Sequence, residues 1–442
     1  MRVAVIGAGI SGLTCAYRLQ QGGCEIDVFE AETHPGGRMW SIRANGFDID
    51  LGTAMLLGCY DRCRALSAEL GLEDRWYPLE ASGHGGVLHG SEVTPFSPAR
   101  AFDVLRYQGL HLSGRIRLFL ALLEAWKGRH EVDFFDLSVG DSSLDEEDCD
   151  SFARRRLGDE ATDYVVDSFI RTFHFHGAKR MSAKYFEALA ALLVSRGEFQ
   201  LFGLRGSMLA LPSALAARLN VSYQTPASVS GTTVTSRLGV ETYDSVVLAT
   251  SAGRARATLS LDSSPQRALL ERVEYSSTIL CSFAVPREIA GDFEGIWVPF
   301  RESRIVSGLA NDSCKGAISE NRVLLQVWLH EETAAAWLDR SDGEIQGMVA
   351  GELIRLFSRY EGALEPIFVH RWPEALPVYG VGQVSQVARF WERGQGHGGL
   401  WLCGDYLNHP WVEGAVRCGE KVAHLLCGVE PCRAWPRASS GA

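Results

Sequence analysis

Residues 2–13 read Arg2-Val-Ala-Val-Ile-Gly-Ala-Gly-Ile-Ser-Gly-Leu13, and residues 26–30 read Ile26-Asp-Val-Phe-Glu30. Residues 3–6 are a short apolar, largely β-branched run, as a buried parallel strand requires. Gly7, Gly9 and Gly12 then give G-x-G-x-x-G, and Leu13, Ala16 and Leu19 repeat behind them with a helical period. Gly7 permits the tight turn, Gly9 lets the backbone approach a pyrophosphate, and Gly12 lets the helix lie on the strand. The phosphates would rest on the helix N-terminus, where free N–H groups and the helix dipole favour an anion. Residues 26–29 read as the second strand. Glu30 follows, 23 residues after Gly7, where an acid binds ribose hydroxyls and disfavours a 2′-phosphate. Strand, glycines, helix, strand and acid in that order point to the ADP half of a dinucleotide and argue against NADP.

Two further stretches favour FAD over NAD. Residues 35–39 read Pro-Gly-Gly-Arg-Met. Gly36 and Gly37 let the backbone lie close to a ligand, and Arg38 can pair with a phosphate. Residues 399–406 read Gly-Leu-Trp-Leu-Cys-Gly-Asp-Tyr, and residues 412–423 read Val-Glu-Gly-Ala-Val-Arg-Cys-Gly-Glu-Lys-Val-Ala. A short apolar strand runs into Gly404-Asp405, and an aspartate at a strand end can hold a ribityl or phosphate oxygen. Gly414-Ala415 opens an apolar-periodic helix (Val416, Val422, Ala423, Leu426). Its N-terminus can face a flavin O2 and stabilise negative charge on the reduced ring.

On these residues the chain resembles the superfamily of flavin-containing amine oxidases, protoporphyrinogen oxidases and phytoene desaturases. Weaker matches recur in order between the ends: Phe47-Asp-Ile-Asp-Leu-Gly-Thr53, Gly203-Leu-Arg-Gly-Ser-Met-Leu-Ala-Leu-Pro212, Ser245-Val-Val-Leu-Ala-Thr-Ser-Ala252 and Arg371-Trp-Pro-Glu-Ala-Leu-Pro-Val-Tyr379. The second and last of these are most like protoporphyrinogen oxidases. The resemblance implies an α/β fold, with a Rossmann-like FAD-binding domain interleaved with an α+β substrate domain. It implies cofactor contacts from Gly7, Gly9, Ile10, Ser11, Gly12, Glu30 and Ala31. Gly36, Gly37, Arg38 and Met39 join them, as do Gly52, Thr53, Ala54 and Met55 in the segment under the flavin. The backbone of Val229 is expected at the adenine, with Ala249 and Thr250 on the returning strand. Gly404, Asp405, Glu413, Gly414 and Ala415 complete the set. The usual covalent-attachment cysteine context is absent, so the FAD is expected to be non-covalent. Cys403 is expected to point into the core.

The FAD domain is expected from residues 1–75, 200–262 and 393–428, with short strands at 221–223, 232–236, 240–243 and 246–249. Residues 76–199 and 263–392 would form the substrate domain. The first of these pieces reads as mostly helical, with an acidic loop at 141–150 and a helix starting at Ser151. The second has strand-like runs at 278–285 and 323–329 and an amphipathic helix at 344–360. The tail, residues 429–442, lacks periodicity and is expected to be disordered.

With 442 residues, 46% hydrophobic and 22% charged, the chain can bury a large core. A net charge of −11 without a basic run argues against a nucleic-acid partner. The 11 cysteines are scattered, and no secretion signal precedes the first strand, so a cytoplasmic protein with reduced thiols is expected. Cys59 and Cys63 are one helical turn apart, but no further ligand follows at metal spacing, and buried free thiols are the better reading. No apolar run reaches the roughly 18 residues a membrane span needs. Residues 118–126 and 186–194 are the most apolar helical stretches and are expected to line a core. The resemblance leaves room for peripheral membrane contact, which the sequence does not favour.

In such proteins the flavin carries the chemistry and the protein supplies position and electrostatics. Many amine oxidases of the superfamily place a lysine near N5, on the strand after the returning one. Here that stretch, Val273-Glu-Tyr-Ser-Ser-Thr-Ile-Leu-Cys-Ser-Phe283, holds no lysine. Two clusters remain as candidates for substrate contact. Phe173-His-Phe-His-Gly177 carries His174 and His176, which a strand would put on one face and a helix would spread. They are either core or surface histidines, or a general base or carboxylate anchor. The second cluster is Trp297, Trp328, Trp372 and Trp411, of which Trp411 falls in the loop between Asp405 and Gly414. The expected function is dehydrogenation of a small hydrophobic or aromatic molecule at a C–N or C–C bond, with O2 or another acceptor taking the electrons. The rivals are an isomerase or mutase using reduced FAD, and an inactive FAD-containing binding protein.

Overall fold

The computed structural model describes residues 1–79, 85–96, 104–105, 107–137, 140–195, 200–260, 264–291, 293–315, 318–319 and 321–429. All of the expected disordered tail but Val429 lies outside the described residues.

The opening apolar run forms strand Arg2–Ile6, buried from its second residue onward. It is the middle strand of a five-stranded sheet ordered Val221–Ser222, Glu25–Phe29, Arg2–Ile6, Ser245–Leu248 and Leu400–Leu402. All four pairings are parallel, so strands distant in sequence lie side by side and leave continuous apolar runs between two covered faces. Helices Ile10–Gln21 and Val412–Cys427 pack tightly on each other. Their approach depends on Gly419, where an added Cβ would come 2.6 Å from the Ser11 carbonyl oxygen. A buried ion pair, Arg18 to Glu420 at 3.1 Å, crosses the same contact. The two ends of the chain therefore build one unit. Beside it stands an antiparallel meander of Ala227–Ser230, Thr233–Ser236 and Gly239–Thr242. Its first strand is additional to the expected set.

A second, eight-stranded sheet runs Glu365–Trp372, Thr278–Pro286, Arg322–Leu329, Val306–Asn311, Gly295–Trp297, Gly86–His89 and Glu92–Pro95, with Ile318–Ser319 paired to Arg322–Leu329. Thr278–Pro286 is buried over eight successive residues, and its alternating faces enter two cores. Ile279, Cys281, Phe283 and Val285 meet helix Asp342–Leu356, while Leu280 and Ala284 meet Phe47, Ile49 and Leu51. Helices Leu112–Gly128, Cys149–Leu157 and Ala183–Val194 pack on one another, and Asp167–Phe173 packs on strands Gly295–Trp297 and Val306–Asn311 of this sheet.

Several expectations change. Residues 76–199 contain strands Trp76–Pro78, Gly86–His89 and Glu92–Pro95 as well as helices. Such short segments owe their form to the strands they pair with rather than to their own pattern. The helix expected from Ser151 begins at Cys149, because the Asp148 carboxylate accepts the Ser151 N–H at 2.9 Å. The helix expected over 344–360 runs Asp342–Leu356 behind a capping box of Ser341 and Glu344. Residues 186–194 are buried for the most part, as expected. Residues 118–126 are not simply core. They belong to a longer helix, Leu112–Gly128, in which Leu118 and Leu122 are buried while Leu120 and Trp126 are exposed.

Candidate functional site

The glycines of the opening motif differ in what surrounds them. A Cβ on Gly7 would lie 2.8 Å from the Ala249 carbonyl oxygen, and one on Gly12 would collide with the Gly7 carbonyl. A Cβ on Gly9 would meet nothing within 4 Å. So Gly7 and Gly12 serve packing, and Gly9 borders open space. Helix Ile10–Gln21 starts there with no side-chain cap and no acid in its first turn. Its N–H groups remain available to an anion. Glu30 is held in place by two backbone donors, Ala8 N–H at 2.6 Å and Glu32 N–H at 2.9 Å, with Ala31 exposed between them.

Directly alongside Gly9 runs the loop Gly36-Gly37-Arg38-Met39, Gly36 forming a parallel bridge with Gly9. Gly36 and Gly37 take φ of +106° and +57°, and Gly36 N–H donates to the Ala8 carbonyl at 2.8 Å. Met39 is buried. Arg38 donates to Asp405 Oδ1 at 2.7 Å and to the Ala375 carbonyl at 2.8 Å. The Arg38 carbonyl accepts Thr53 N–H at 3.0 Å and allows no side chain on Gly52. Half-buried Ala54 and Met55 follow. Ala249 closes the far side, its N–H on the Ile6 carbonyl at 2.8 Å, with half-buried Thr250 next to it. The Ser11 hydroxyl lies 3.0 Å from Cys403 Sγ, and Ile10 is buried. Val229 sits in the meander, its carbonyl accepting Ser260 N–H at 2.9 Å. Cys403 is fully buried, as expected, and Cys59 and Cys63 are buried and in no disulfide. No metal-binding cluster occurs among the described residues.

Beyond Gly404-Asp405 the chain turns through His409 and Trp411 into helix Val412–Cys427. Gly414 is required there, because a side chain would strike the His409 carbonyl. Glu413 reaches from its own helix to the next. Its carboxylate accepts Arg62 N–H at 3.0 Å and Cys63 N–H at 2.9 Å, at the start of helix Asp61–Glu69, and pairs with Arg417 at 2.7 Å. Helix Val412–Cys427 begins without a side-chain cap, with Glu413 as the acid in its first turn beside Gly414 and Ala415.

An aromatic enclosure adjoins this loop. Trp411 stacks on His174 with ring centroids 5.3 Å apart and touches Phe134 at the same distance. Tyr185 stacks on Tyr379 at 5.4 Å, and the Tyr379 hydroxyl donates to the Asp405 carbonyl at 2.9 Å. His174 and His176 come together by neither route expected for them. Helix Asp167–Phe173 ends, His174 caps it, and Phe175 adopts a left-handed φ of +60°. Both imidazoles are thereby buried, 6.0 Å apart. Burial holds His174 well below the ordinary histidine pKa, with His176 and His409 adding to the effect. Burial likewise takes His176 down to about 4. His174 Nε2, both ring nitrogens of His409 and the hydroxyls of Tyr185 and Tyr406 are buried without a hydrogen-bond partner among the described residues. Buried polar groups normally find partners; atoms of the same kind also occur elsewhere, at Tyr107, Gln326 and His330.

The four tryptophans do not form one cluster. Trp372 donates to the Leu51 carbonyl at 2.7 Å, beside the segment leading to Gly52. Trp328 packs in the core beneath it. Trp297 packs on Phe169 and Phe173 and lines a cavity of about 370 Å3. Leu118, Leu122 and Phe186 form other walls, and Glu131, Asp141 and Glu187 also line it. Spacing alone could not reveal Tyr185, Phe134 or this cavity, which arise from packing between helices. Tyr379 lies within a quoted motif and His409 between two of them, and neither was singled out. The strand Thr278–Pro286 carries no lysine. Lys184 is buried at a helix start, and Lys179 lies on a turn.

The profile of the flavin-containing amine oxidoreductase family matches residues 10–427. The chain is 31% identical over 170 residues to protoporphyrinogen oxidase 2, chloroplastic/mitochondrial, of Arabidopsis thaliana, covering 38% of this chain and 32% of that one. Its match thus spans about a third of that relative's length. It is 26% identical over 413 residues to the coproporphyrinogen III oxidase of Mycobacterium bovis, covering 87% and 88% of the two chains. The fold is shared with the cyclohexylamine oxidase of Brevibacterium oxydans at a TM-score of 0.73 and 18% identity, over 97% of this chain and 98% of that one. The α/β architecture, with its Rossmann-like sheet and α+β partner, is the one expected. This chain belongs to the flavin-containing amine oxidoreductase family.

Proposed function

We propose that the chain binds FAD non-covalently and dehydrogenates a small hydrophobic or aromatic substrate at a C–N or C–C bond. The observation that carries this reading is the open space at Gly9, bordered by an uncapped helix N-terminus, Glu30 and the Arg38–Asp405 pair. Glu30 would take the ribose hydroxyls, and Arg38 with the Ile10 and Ser11 N–H groups the pyrophosphate. Residues 1–75, 200–262 and 393–428 would hold the cofactor, and residues 76–199 and 263–392 would cover the substrate. FAD supplies the hydride acceptor when bound.

The chain's own residues do the rest. The uncapped N-terminus of Val412–Cys427 favours negative charge nearby. Trp411 and Tyr379 exclude water and orient a flat substrate. His174, neutral and with Nε2 unpartnered, accepts the proton that leaves with the hydride, and passes it on once the product departs. With no lysine on the strand Thr278–Pro286, proton removal falls to this imidazole. Dioxygen or another acceptor would reoxidise the enzyme. The buried free thiols fit a reducing, cytoplasmic setting.

The test is anaerobic mixing of the purified yellow protein with candidate amines and porphyrinogens, followed by flavin absorbance. Bleaching without oxygen supports dehydrogenation. A substrate turned over only after prior reduction would instead indicate an isomerase or mutase. FAD that stays on the chain after acid precipitation would contradict non-covalent binding.

A further inference from the structure

Helix Leu112–Gly128 is apolar on two sides. Leu118 and Leu122 face inward and line the cavity. On the other side Leu112, Ile116, Leu120 and Trp126 are 67%, 45%, 50% and 47% exposed, and Leu105 just before the helix is 37% exposed. At about 100° per residue, Leu112, Ile116 and Leu120 form one stripe and Trp126 borders it. Of the ten large hydrophobics exposed among the described residues, five fall in this one stretch. So concentrated a patch marks a contact surface rather than chance exposure.

Charge identifies what it contacts. Residues 104–130 carry Arg106, Arg115, Arg117, Lys127 and Arg129 against one acid, Glu124, in a chain of net charge −11. Glu124 is itself paired with Arg156. Arg117 and Lys127 are exposed, and Arg129 lies 4.4 Å over the Trp126 ring. Acids resume only beyond the helix, at Glu131, Asp133 and Asp136. A two-fold contact between copies would set these cations against one another. An apolar stripe with a cationic rim matches an anionic lipid surface instead. No helix among the described residues is long and apolar enough to cross a membrane, and a helix lying in the surface needs no such run.

We propose that Leu112–Gly128 is a membrane-docking helix that lies in the headgroup plane of an anionic bilayer. Leu112, Ile116 and Leu120 enter the acyl boundary, Trp126 sits at the interface, and Arg117 and Lys127 meet lipid phosphates. The inner face of the same helix walls the cavity, so docking brings the cavity against the lipid. The proposal does not depend on the substrate chemistry above.

The experiment is co-sedimentation of the full flavin-loaded chain with phosphatidylcholine vesicles, with and without phosphatidylglycerol. Binding is expected only with phosphatidylglycerol, and it should weaken as salt rises. Ile116→Glu with Leu120→Glu should lower the partition coefficient about tenfold or more, and Arg117→Glu with Lys127→Glu should do likewise. These side chains are exposed, and retained flavin absorbance checks the fold. Should a variant misfold, the lipid and salt dependence of the unmodified chain still decides. Equal binding to both vesicle types, or no binding to either, overturns the proposal. So does a dimer in sedimentation velocity that Ile116→Glu dissociates without any vesicle binding, since the face would then join copies of this chain.

Discussion

Arg38 and Asp405 stand 367 residues apart in sequence, and the guanidinium donates to the carboxylate at 2.7 Å. The contact joins the loop after the second strand to the end of the fifth, so it exists only once the parallel sheet has assembled. Asp405 is almost wholly buried, while the Arg38 side chain keeps 30% of its surface. The second guanidinium nitrogen holds the Ala375 carbonyl, which ties in the segment leading to Tyr379. The pair thus fixes the guanidinium that follows Gly37, the residue abutting Gly9.

Arg38→Ala and Asp405→Asn should each weaken FAD binding. A charge-assisted hydrogen bond is worth about 1.5–3 kcal/mol, so the Kd should rise on the order of 10–100-fold. Titration of apoprotein with FAD, read by flavin fluorescence, measures it. A change under about twofold in both variants would take the pair out of cofactor binding.

Glu30→Ala should also lower FAD occupancy, with the fold retained. Two backbone N–H groups orient the Glu30 carboxylate, so its oxygens are preset for ribose hydroxyls. Loss of about 1–3 kcal/mol is expected. FAD content per chain by absorbance, beside an unchanged circular dichroism spectrum, checks it, and unchanged affinity would place the ribose elsewhere.

Glu413 should behave differently. Burial raises its pKa, against the opposing pull of Arg417 and of the Cys63 and Arg62 N–H groups. Removing it leaves half-buried Arg417 and two helix N–H groups without this partner, so Glu413→Ala should cost about 3 kcal/mol of stability. Urea denaturation measures this. A fall in FAD affinity with unchanged stability would instead give Glu413 a direct place at the ring.

The cofactor end of the site was legible because its signals are local. Gly7, Gly9, Gly12 and Glu30 sit at fixed offsets within one βαβ unit, and each offset follows from the geometry of a turn or a strand end. The Asp405–Gly414 loop was legible for the same reason. The substrate side was not, because its geometry is set by long-range packing. The two histidines meet through a left-handed Phe175, which no periodicity announces. Trp297 reaches the cavity through strand pairing, and Tyr185 reaches Tyr379 through helix packing. The helix Leu112–Gly128 misled for a different reason. Residues 118–126 read as lining a core, and only the assembled fold shows Leu112, Ile116 and Leu120 exposed on one face of the longer helix.

Stability should fall in acid through the buried histidines. His176 is neutral in the fold, its pKa lowered to about 4 mainly by burial, whereas in the unfolded chain it titrates near 6.5. The unfolded state therefore binds the extra proton first as pH drops. The stabilisation is full above about pH 6.5, shrinks between there and about pH 4, and is gone below. The shift corresponds to about 3 kcal/mol at most. Melting temperature measured across that window checks it, and His176→Gln should flatten part of the slope. A melting temperature that stays level from pH 7 to pH 4.5 would mean that His176 titrates normally.

Trp411 and Trp297 should separate rate from binding. Trp411 is anchored on both sides, by the turn at His409 and by the helix start at Val412, and it stacks on His174. It therefore holds both a flat surface and the imidazole proposed as base. Trp297 lies farther along, against Phe169 and Phe173 in the cavity wall. An aromatic contact is worth about 0.5–1.5 kcal/mol beyond area burial. Trp411→Ala should keep FAD yet slow substrate-driven flavin reduction by about tenfold or more, with little change in the substrate concentration needed for half-maximal rate. Trp297→Ala should raise that concentration by a similar factor and leave the limiting rate nearly intact. Stopped-flow reduction over a range of substrate concentrations separates the two. If the limiting rate falls at Trp297 and not at Trp411, the reacting carbon lies in the cavity rather than beside the Asp405–Gly414 loop, and His174 loses its claim as the base.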